Sequence, residues 1–256
     1  MFMLFAISAS LFLSGCGGIL APQRSSFFAP GGRGLDFSDF VETAYHNQST
    51  VKKEYPRFQM ALTPEVTRHL EYYSDRDRKF VIKSYNNRQV YLAEIRELFR
   101  REGLPLELIN VGAVESKFNP NAVSRSGAAG IWQFMKPTGR SYDLTINFLR
   151  DERRDPVKSS WAAARHLGDL YDEFNDWYLA LAAYNAGSGS LRRAIKQGKS
   201  RDFWQLARGG HLRRQTAEYV PRVIAMSIIM KDLGEYGFVE MAGEVHPENM
   251  LLSFNQ

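Results

Sequence analysis

Apolar residues recur at helical spacing along most of this chain, while stretches that alternate apolar with polar residues are scarce. In RKFVIKSYNNRQVYLAEIRELFRREG, Val81, Tyr85, Tyr91, Ile95, Leu98 and Phe99 fall near one helical stripe with charges elsewhere. Gly103 suits the cap after that helix, and Pro105 suits the first turn of the next. LPLELINVGAVES then reads as a mostly apolar, central helix. VKSSWAAARHLGDLYDEF places Trp161, Ala164, Leu167, Tyr171 and Phe174 at helical spacing. DWYLALAAYNAG is apolar nearly all round and stops at Asn185 and Gly187. TAEYVPRVIAMSIIMKDLG forms a last long helix, with Pro221 expected in its first turn and Gly234 at its end. The pattern predicts an all-α fold.

The 256 residues suffice for one good-sized domain, or a domain with an attached lobe. No internal repeat is evident. Residues 35–103 are expected to form an N-terminal helical lobe, 104–239 the helical core, and 240–256 a tail. Before them, residues 17–34 are rich in Gly, Pro and Ser, as a flexible tether would be. Residues 1–13 are almost wholly apolar, too few for a membrane-spanning helix but right for the core of a signal peptide. LSGC at 13–16 resembles the lipobox of bacterial lipoproteins, in which the cysteine is lipidated and becomes the new N-terminus. That predicts a signal peptide over 1–15, a tether over 16–34 and a lipid anchor on Cys16; the other reading is an ordinary signal peptide with a chance cysteine. The first basic residue is Arg24.

Charge and metal-ligand patterns narrow the chemistry. The net charge of +5 is modest and fits a polyanionic partner without naming one. No basic block is interleaved with aromatics in a way that argues for nucleic acid. Cys16 is the one cysteine, so no internal disulfide forms. His46, His69, His166, His211 and His246 lack metal-ligand spacing and read as surface or packing residues; no metal and no cofactor is expected. GSGS at 187–190 reads as a turn between helices rather than a phosphate loop.

Glu115 stands out because it ends the apolar run NVGAV. A helix from Pro105 sets Leu108, Val111 or Gly112, and Glu115 on one face. A carboxyl against apolar walls keeps its proton to higher pH and can serve as a general acid. The alternative is a Glu at the helix end, either pointing into solvent or paired with Lys117 or Arg125. The segment that follows, NPNAVSRSGAAGIWQFMKPTG, has small residues that let backbone pass close to another group, then Trp132, Gln133, Phe134 and Met135. Flat apolar surface beside an amide suits a sugar, although Trp132 and Phe134 read more simply as core.

Three blocks, VESKFNPNAVSRSGAAGIWQFMKPTG, ALAAYNAGSGSLRRAI and TAEYVPRVIA, stand in the order and spacing of the lytic transglycosylase domain of the soluble-lytic-transglycosylase type, which the chain resembles over roughly residues 100–235. TGRSYDL and DERRDPVKSSWAAA further resemble the membrane-bound murein transglycosylase D branch. The resemblance implies a lysozyme-like helical catalytic domain that cleaves the glycan strands of peptidoglycan with no cofactor. It makes Glu115 the lone acid/base, and sets Ser124 near Glu115 or the sugar acetamido group. Gln133 and Met135 would line the groove, Tyr184 and Asn185 would face it, and Tyr219 would orient the carboxyl.

It also implies bond cleavage between MurNAc and GlcNAc with 1,6-anhydro ends. The resemblance of LSGC to a lipobox, with Gly17 rather than an Asp after Cys16, implies a lipoprotein on the periplasmic side of the outer membrane. Asn110 and Gly112 depart from the bulkier apolar residues or Pro usual in that branch, so looser packing is expected before Glu115. Lys136 replaces a common Pro, and Asp143 a common Gly. The branch often carries glycan-binding LysM repeats; none is found up to Gln256, so wall affinity is expected from the cleft or the leading lobe. A lysozyme-like hydrolase and a non-catalytic wall-binding lipoprotein are the competing readings.

Overall fold

The computed structural model describes residues 53–239, together with Phe37, Asp39 and Glu42. The signal segment, Cys16, the tether, most of residues 35–52 and the tail from 240 lie outside the described residues. The described part is all-α, with ten α-helices, one π-turn and two 3-10 turns, and among the described residues the only β-pairing is isolated bridges.

The helices are α1 Pro64–Glu71, α2 Arg78–Gln89, α3 Leu92–Arg101, α4 Val111–Ser116, α5 Lys136–Ser141, α6 Pro156–Phe174, α7 Trp177–Ala186, α8 Ser188–Gly198, α9 Phe203–Arg208 and α10 Arg214–Lys231. Local chemistry starts several of them. Thr63, Asp155, Asp176 and Asp202 each accept a backbone N–H of the first turn of the helix that follows, and Pro64 and Pro156 occupy first-turn positions where no N–H is needed. In α7 the residues Trp177, Leu179, Ala180, Leu181, Ala182 and Ala183 are all buried and none of the other four is fully exposed, which makes this helix central. α6 and α10 both pack on α7, and α10 also meets α1, α4 and the 3-10 turn Leu106–Asn110.

Four expectations are corrected. The stretch 78–103 is two helices, broken at Val90 and Tyr91. The stripe itself held the sign: Val81 to Tyr85 and Tyr91 to Ile95 are each one turn, but Tyr85 to Tyr91 is six residues, which slips off a single helical face. The helix from Pro105 is a 3-10 turn, Leu106–Asn110, followed by the short α4. GSGS is not a turn between helices as a whole; Gly187 alone turns, at φ 81°, and Ser188 already begins α8. Pro221 lies two turns inside α10 and is buried, because the helix begins at Arg214 and packing on both flanks outweighs one lost hydrogen bond.

The packing before Glu115 is tight rather than loose. A Cβ on Gly112 would lie 2.9 Å from Phe118 Cε1 and 3.0 Å from Ile131 Cγ2, so the glycine lets α4 press against both side chains. Asn110 is buried, and its amide donates to the Glu107 carbonyl at 3.1 Å and to Ser227 Oγ at 3.3 Å, which ties the start of α4 to α10. Asp143 adopts φ +62°, the left-handed conformation in which glycine is at ease.

Candidate active site

Glu115 sits near the C-terminal end of α4, part-buried, one residue before the chain leaves the helix through Lys117 and Phe118, both left-handed at φ 57° and 55°. Val111, Gly112, Ala113 and Val114 before it are all buried. Two ties fix this helix end. Ser116 Oγ donates to the Ile131 carbonyl at 2.8 Å and accepts the Asn119 N–H at 3.1 Å. Asn87 of α2 donates its amide to the Lys117 carbonyl at 2.7 Å.

Burial lifts the Glu115 carboxyl to a pKa of about 7, against the opposing pull of a hydrogen bond from Tyr219 and the charge of Arg222. Tyr219, buried on α10, donates its hydroxyl to Glu115 Oε1 at 2.7 Å. Among the described residues no second carboxylate acts on Glu115. The Lys117 ammonium lies over the Phe80 ring, 4.9 Å from its centre, and the cation that acts on Glu115 is Arg222 rather than Lys117 or Arg125. The site therefore holds one acid that is part protonated at neutral pH and carries a fixed donor, which can give a proton and hold the resulting anion.

Tyr184, on α7, comes close enough for the charge of Glu115 to act on it. Its hydroxyl donates to the Trp132 carbonyl at 2.8 Å, so it braces the 128–134 segment beside α4. The other sequence-selected residues have their own partners. Ser124 Oγ accepts the Ala128 N–H at 3.0 Å and pairs with Ser126 Oγ at 2.9 Å. Gln133, at φ 52°, donates its amide to the carbonyls of Gly130 at 2.8 Å and Ala122 at 3.3 Å. Asn185 accepts from the Thr216 hydroxyl at 3.0 Å, which links α7 to α10. Met135 is 42% exposed. Glu115, Tyr219 and Tyr184 are thus gathered at one place, while Ser124, Gln133 and Asn185 shape the segments around it. Trp132 and Phe134 are buried core, as their simpler reading had it; Trp132 stacks on Phe99 and donates to Ser160 Oγ at 2.8 Å.

Sequence reasoning missed two supports, Arg153 and Arg222, and read a third, His166, only as a surface or packing residue. Arg153, buried, donates to the carbonyls of Gly127 at 2.7 Å and Phe134 at 2.8 Å, and pins the small-residue segment from behind. Gly130 makes room for this, since a Cβ there would fall 1.7 Å from the Arg153 carbonyl oxygen. Arg222 follows Tyr219 by one helical turn and is held by its Nε–H bond to Tyr73 at 3.0 Å. His166 packs on the Tyr184 ring, 5.2 Å between centres, and burial lowers its pKa to about 4. Tyr142 donates its one proton to Asp169 at 2.9 Å, so its 2.9 Å bond with His166 needs the imidazole proton on Nδ1. Helical spacing gave a hint only for Arg222, which shares a face with Tyr219.

Residues 94–207 match the transglycosylase SLT domain. The chain is 41% identical over 152 residues to the membrane-bound lytic murein transglycosylase D of Escherichia coli K12, an alignment that takes in 57% of this chain and 33% of that protein. It is 32% identical over 123 residues to the membrane-bound lytic murein transglycosylase C of Glaesserella parasuis, covering 43% of this chain and 34% of the relative. The chain thus spans about a third of the length of these curated relatives. Among solved structures, it is similar to the lytic transglycosylase Slt of Pseudomonas aeruginosa, with 25% identity, a TM-score of 0.47, and coverage of 56% of this chain and 24% of that one. No helix among the described residues is long and apolar enough to cross a membrane.

Proposed function

We propose that the chain is a peptidoglycan lytic transglycosylase, starting from the match of residues 94–207 to the transglycosylase SLT domain. The observation that carries the reading is the single Glu115 carboxyl, raised to about 7 by burial, held by Tyr219 and without a second carboxylate acting on it among the described residues. A glycosidase that uses two carboxyls needs both across the scissile bond. One carboxyl must serve twice.

The cycle follows from that. Glu115 gives its proton to the oxygen of the β-1,4 bond between MurNAc and GlcNAc, and the bond from that oxygen to the MurNAc anomeric carbon breaks. The substrate's acetamido group shields the positive carbon. The Tyr219 hydroxyl, already on Oε1, stabilises the new carboxylate. Glu115 then takes the proton of the sugar's 6-hydroxyl, whose oxygen bonds to the anomeric carbon and closes the 1,6-anhydro ring. No water is consumed, and the acid is restored.

In this reading Met135 offers apolar surface to a sugar ring, and Ser124, Gln133, Tyr184 and Asn185 border the glycan groove. Residues 53–103 brace the end of the catalytic helix through Asn87 and hold Arg222 of α10 through Tyr73. Cys16 carries a lipid anchor that holds the protein to the periplasmic face of the outer membrane.

Glu115→Gln tests the assignment. Cleavage of purified wall should fall by at least about 100- to 10,000-fold, the usual contribution of an acid/base group. Cleavage near the unaltered rate would end the argument. Mass spectrometry of the products identifies the reaction, since anhydro ends are lighter by one water than the reducing ends that a hydrolase leaves.

A further inference from the structure

The two most exposed large apolar side chains among the described residues are neighbours. Phe148 is 100% exposed and Leu149 is 89% exposed. They form the tip of a loop that holds its shape. Asn147 Oδ1 accepts the N–H groups of both Leu149 and Arg150 at 2.9 Å, and the Asn147 N–H returns to the Arg150 carbonyl at 2.8 Å. At its base the Glu152 N–H meets the Thr145 carbonyl at 3.0 Å, the Thr145 N–H meets Glu152 Oε2 at 2.7 Å, and Arg140 donates to the Ile146 carbonyl at 2.9 Å. The loop backbone therefore holds both side chains at its tip, exposed to solvent.

The charge around this tip is positive. Arg140 spends its guanidinium on a neutral carbonyl, which leaves its charge uncompensated by that bond. Glu152 is shared between Arg150 and Lys158, so that group keeps a net positive charge. Asp143 and Asp151 are engaged by Arg165 and Arg153. Arg154 follows on the surface. From residue 136 to 165 there are seven Lys and Arg against four acids.

We propose that the Phe148–Leu149 tip inserts into the headgroup region of an anionic lipid bilayer, with Arg140, Arg150 and Arg154 against the lipid phosphates. Size decides for lipid over protein. An aromatic side chain offers about 200 Å² and a leucine less, well short of the ~1,000 Å² that a specific protein interface requires. A bilayer needs no matching pocket; it takes an apolar tip on a basic rim, whose cations are attracted to acidic headgroups. The contact is separate from any acyl anchor at Cys16 and would set how far from the membrane, and at what angle, the Glu115 site faces.

The single cysteine makes the test direct. In the full chain carrying Cys16→Ser, Leu149→Cys is labelled with an environment-sensitive fluorophore, and the control label goes at Gln197→Cys, an exposed position at the end of α8. Vesicles of phosphatidylethanolamine and phosphatidylglycerol should blue-shift the tip label and expose it to quenching by lipid-borne spin labels. The control label should not respond. Replacing phosphatidylglycerol with phosphatidylcholine should weaken the response. Phe148→Ser should weaken vesicle binding by about tenfold, as expected for an apolar side chain removed from lipid, while cleavage of soluble glycan fragments stays unchanged. An unshifted tip label on vesicles overturns the proposal, and so does a shift produced by purified sacculi in their place, which would mark the tip as a wall contact. None of the fluorescence readings involves cleavage, so they stand or fall apart from the proposed activity.

Discussion

Glu115→Gln should make the folded protein more stable at alkaline pH and leave it little changed at acid pH. In the folded state the Glu115 carboxyl titrates at about 7, against 4.5 for an ordinary glutamate. Between those values the unfolded chain has released this proton and the folded chain has kept it. By linkage, this group's contribution to stability falls as pH rises from about 4.5 to about 7 and is constant above. At about 1.4 kcal/mol for each pH unit, the gap amounts to at most about 3 kcal/mol at pH 8. Glutamine cannot ionise, keeps the volume, and retains an oxygen that accepts the 2.7 Å bond from Tyr219. The variant should therefore gain about 2–3 kcal/mol over the unaltered chain at pH 8 and close to nothing at pH 4. At about 2–4 °C for each kcal/mol, that is a rise in Tm of about 4–12 °C. Urea denaturation of both proteins at pH 4, 6 and 8 measures it, and the difference between them cancels every other titrating group. A difference that is flat with pH would refute the burial argument, and with it the reason Glu115 is protonated in the neutral range.

Other consequences follow from the same contacts. Tyr219→Phe removes a donor that favours the ionised carboxyl, so the alkaline limb of kcat/KM should move up by about one to two pH units, at the ~1.5–3 kcal/mol of a bond to a charged group; an unmoved limb would show the bond to be incidental. Gly112→Ala puts a methyl 2.9 Å from Phe118 and should cost about 1–3 kcal/mol in thermal or urea unfolding. It should also lower kcat more than it raises KM, because α4 carries Glu115. Asp143→Gly relieves a left-handed backbone at φ +62° and should add about 0.5–1 kcal/mol, since the exposed ion pair with Arg165 contributes little; a fall in Tm would contradict this.

The parts of the site legible in the sequence were those that local pattern encodes. The apolar run before Glu115 marked a buried helix ending in a carboxyl, and the three ordered blocks carried Tyr184 and Tyr219. What was not legible depends on residues far apart in the chain. Ser116, Arg153 and His166 looked ordinary because their partners, the Ile131 carbonyl, the Gly127 and Phe134 carbonyls and the Tyr142 hydroxyl, are backbone atoms or distant side chains. The expectation of loose packing at Gly112 failed for the same reason. A missing side chain in sequence says nothing about whether a neighbour fills the space, and here Phe118 and Ile131 do.

By itself the sequence determined an all-α chain, with its main helices set by spacing and by caps such as Asp155 and Asp176, because those depend on side chains within a turn of one another. It also singled out one carboxyl at the end of an apolar helix. Tertiary structure alone decided that this carboxyl holds its proton to about pH 7. That value is the balance of desolvation by walls from several helices against one hydroxyl and one guanidinium on α10. Tyr219 lies more than a hundred residues away in the chain and 2.7 Å away in space.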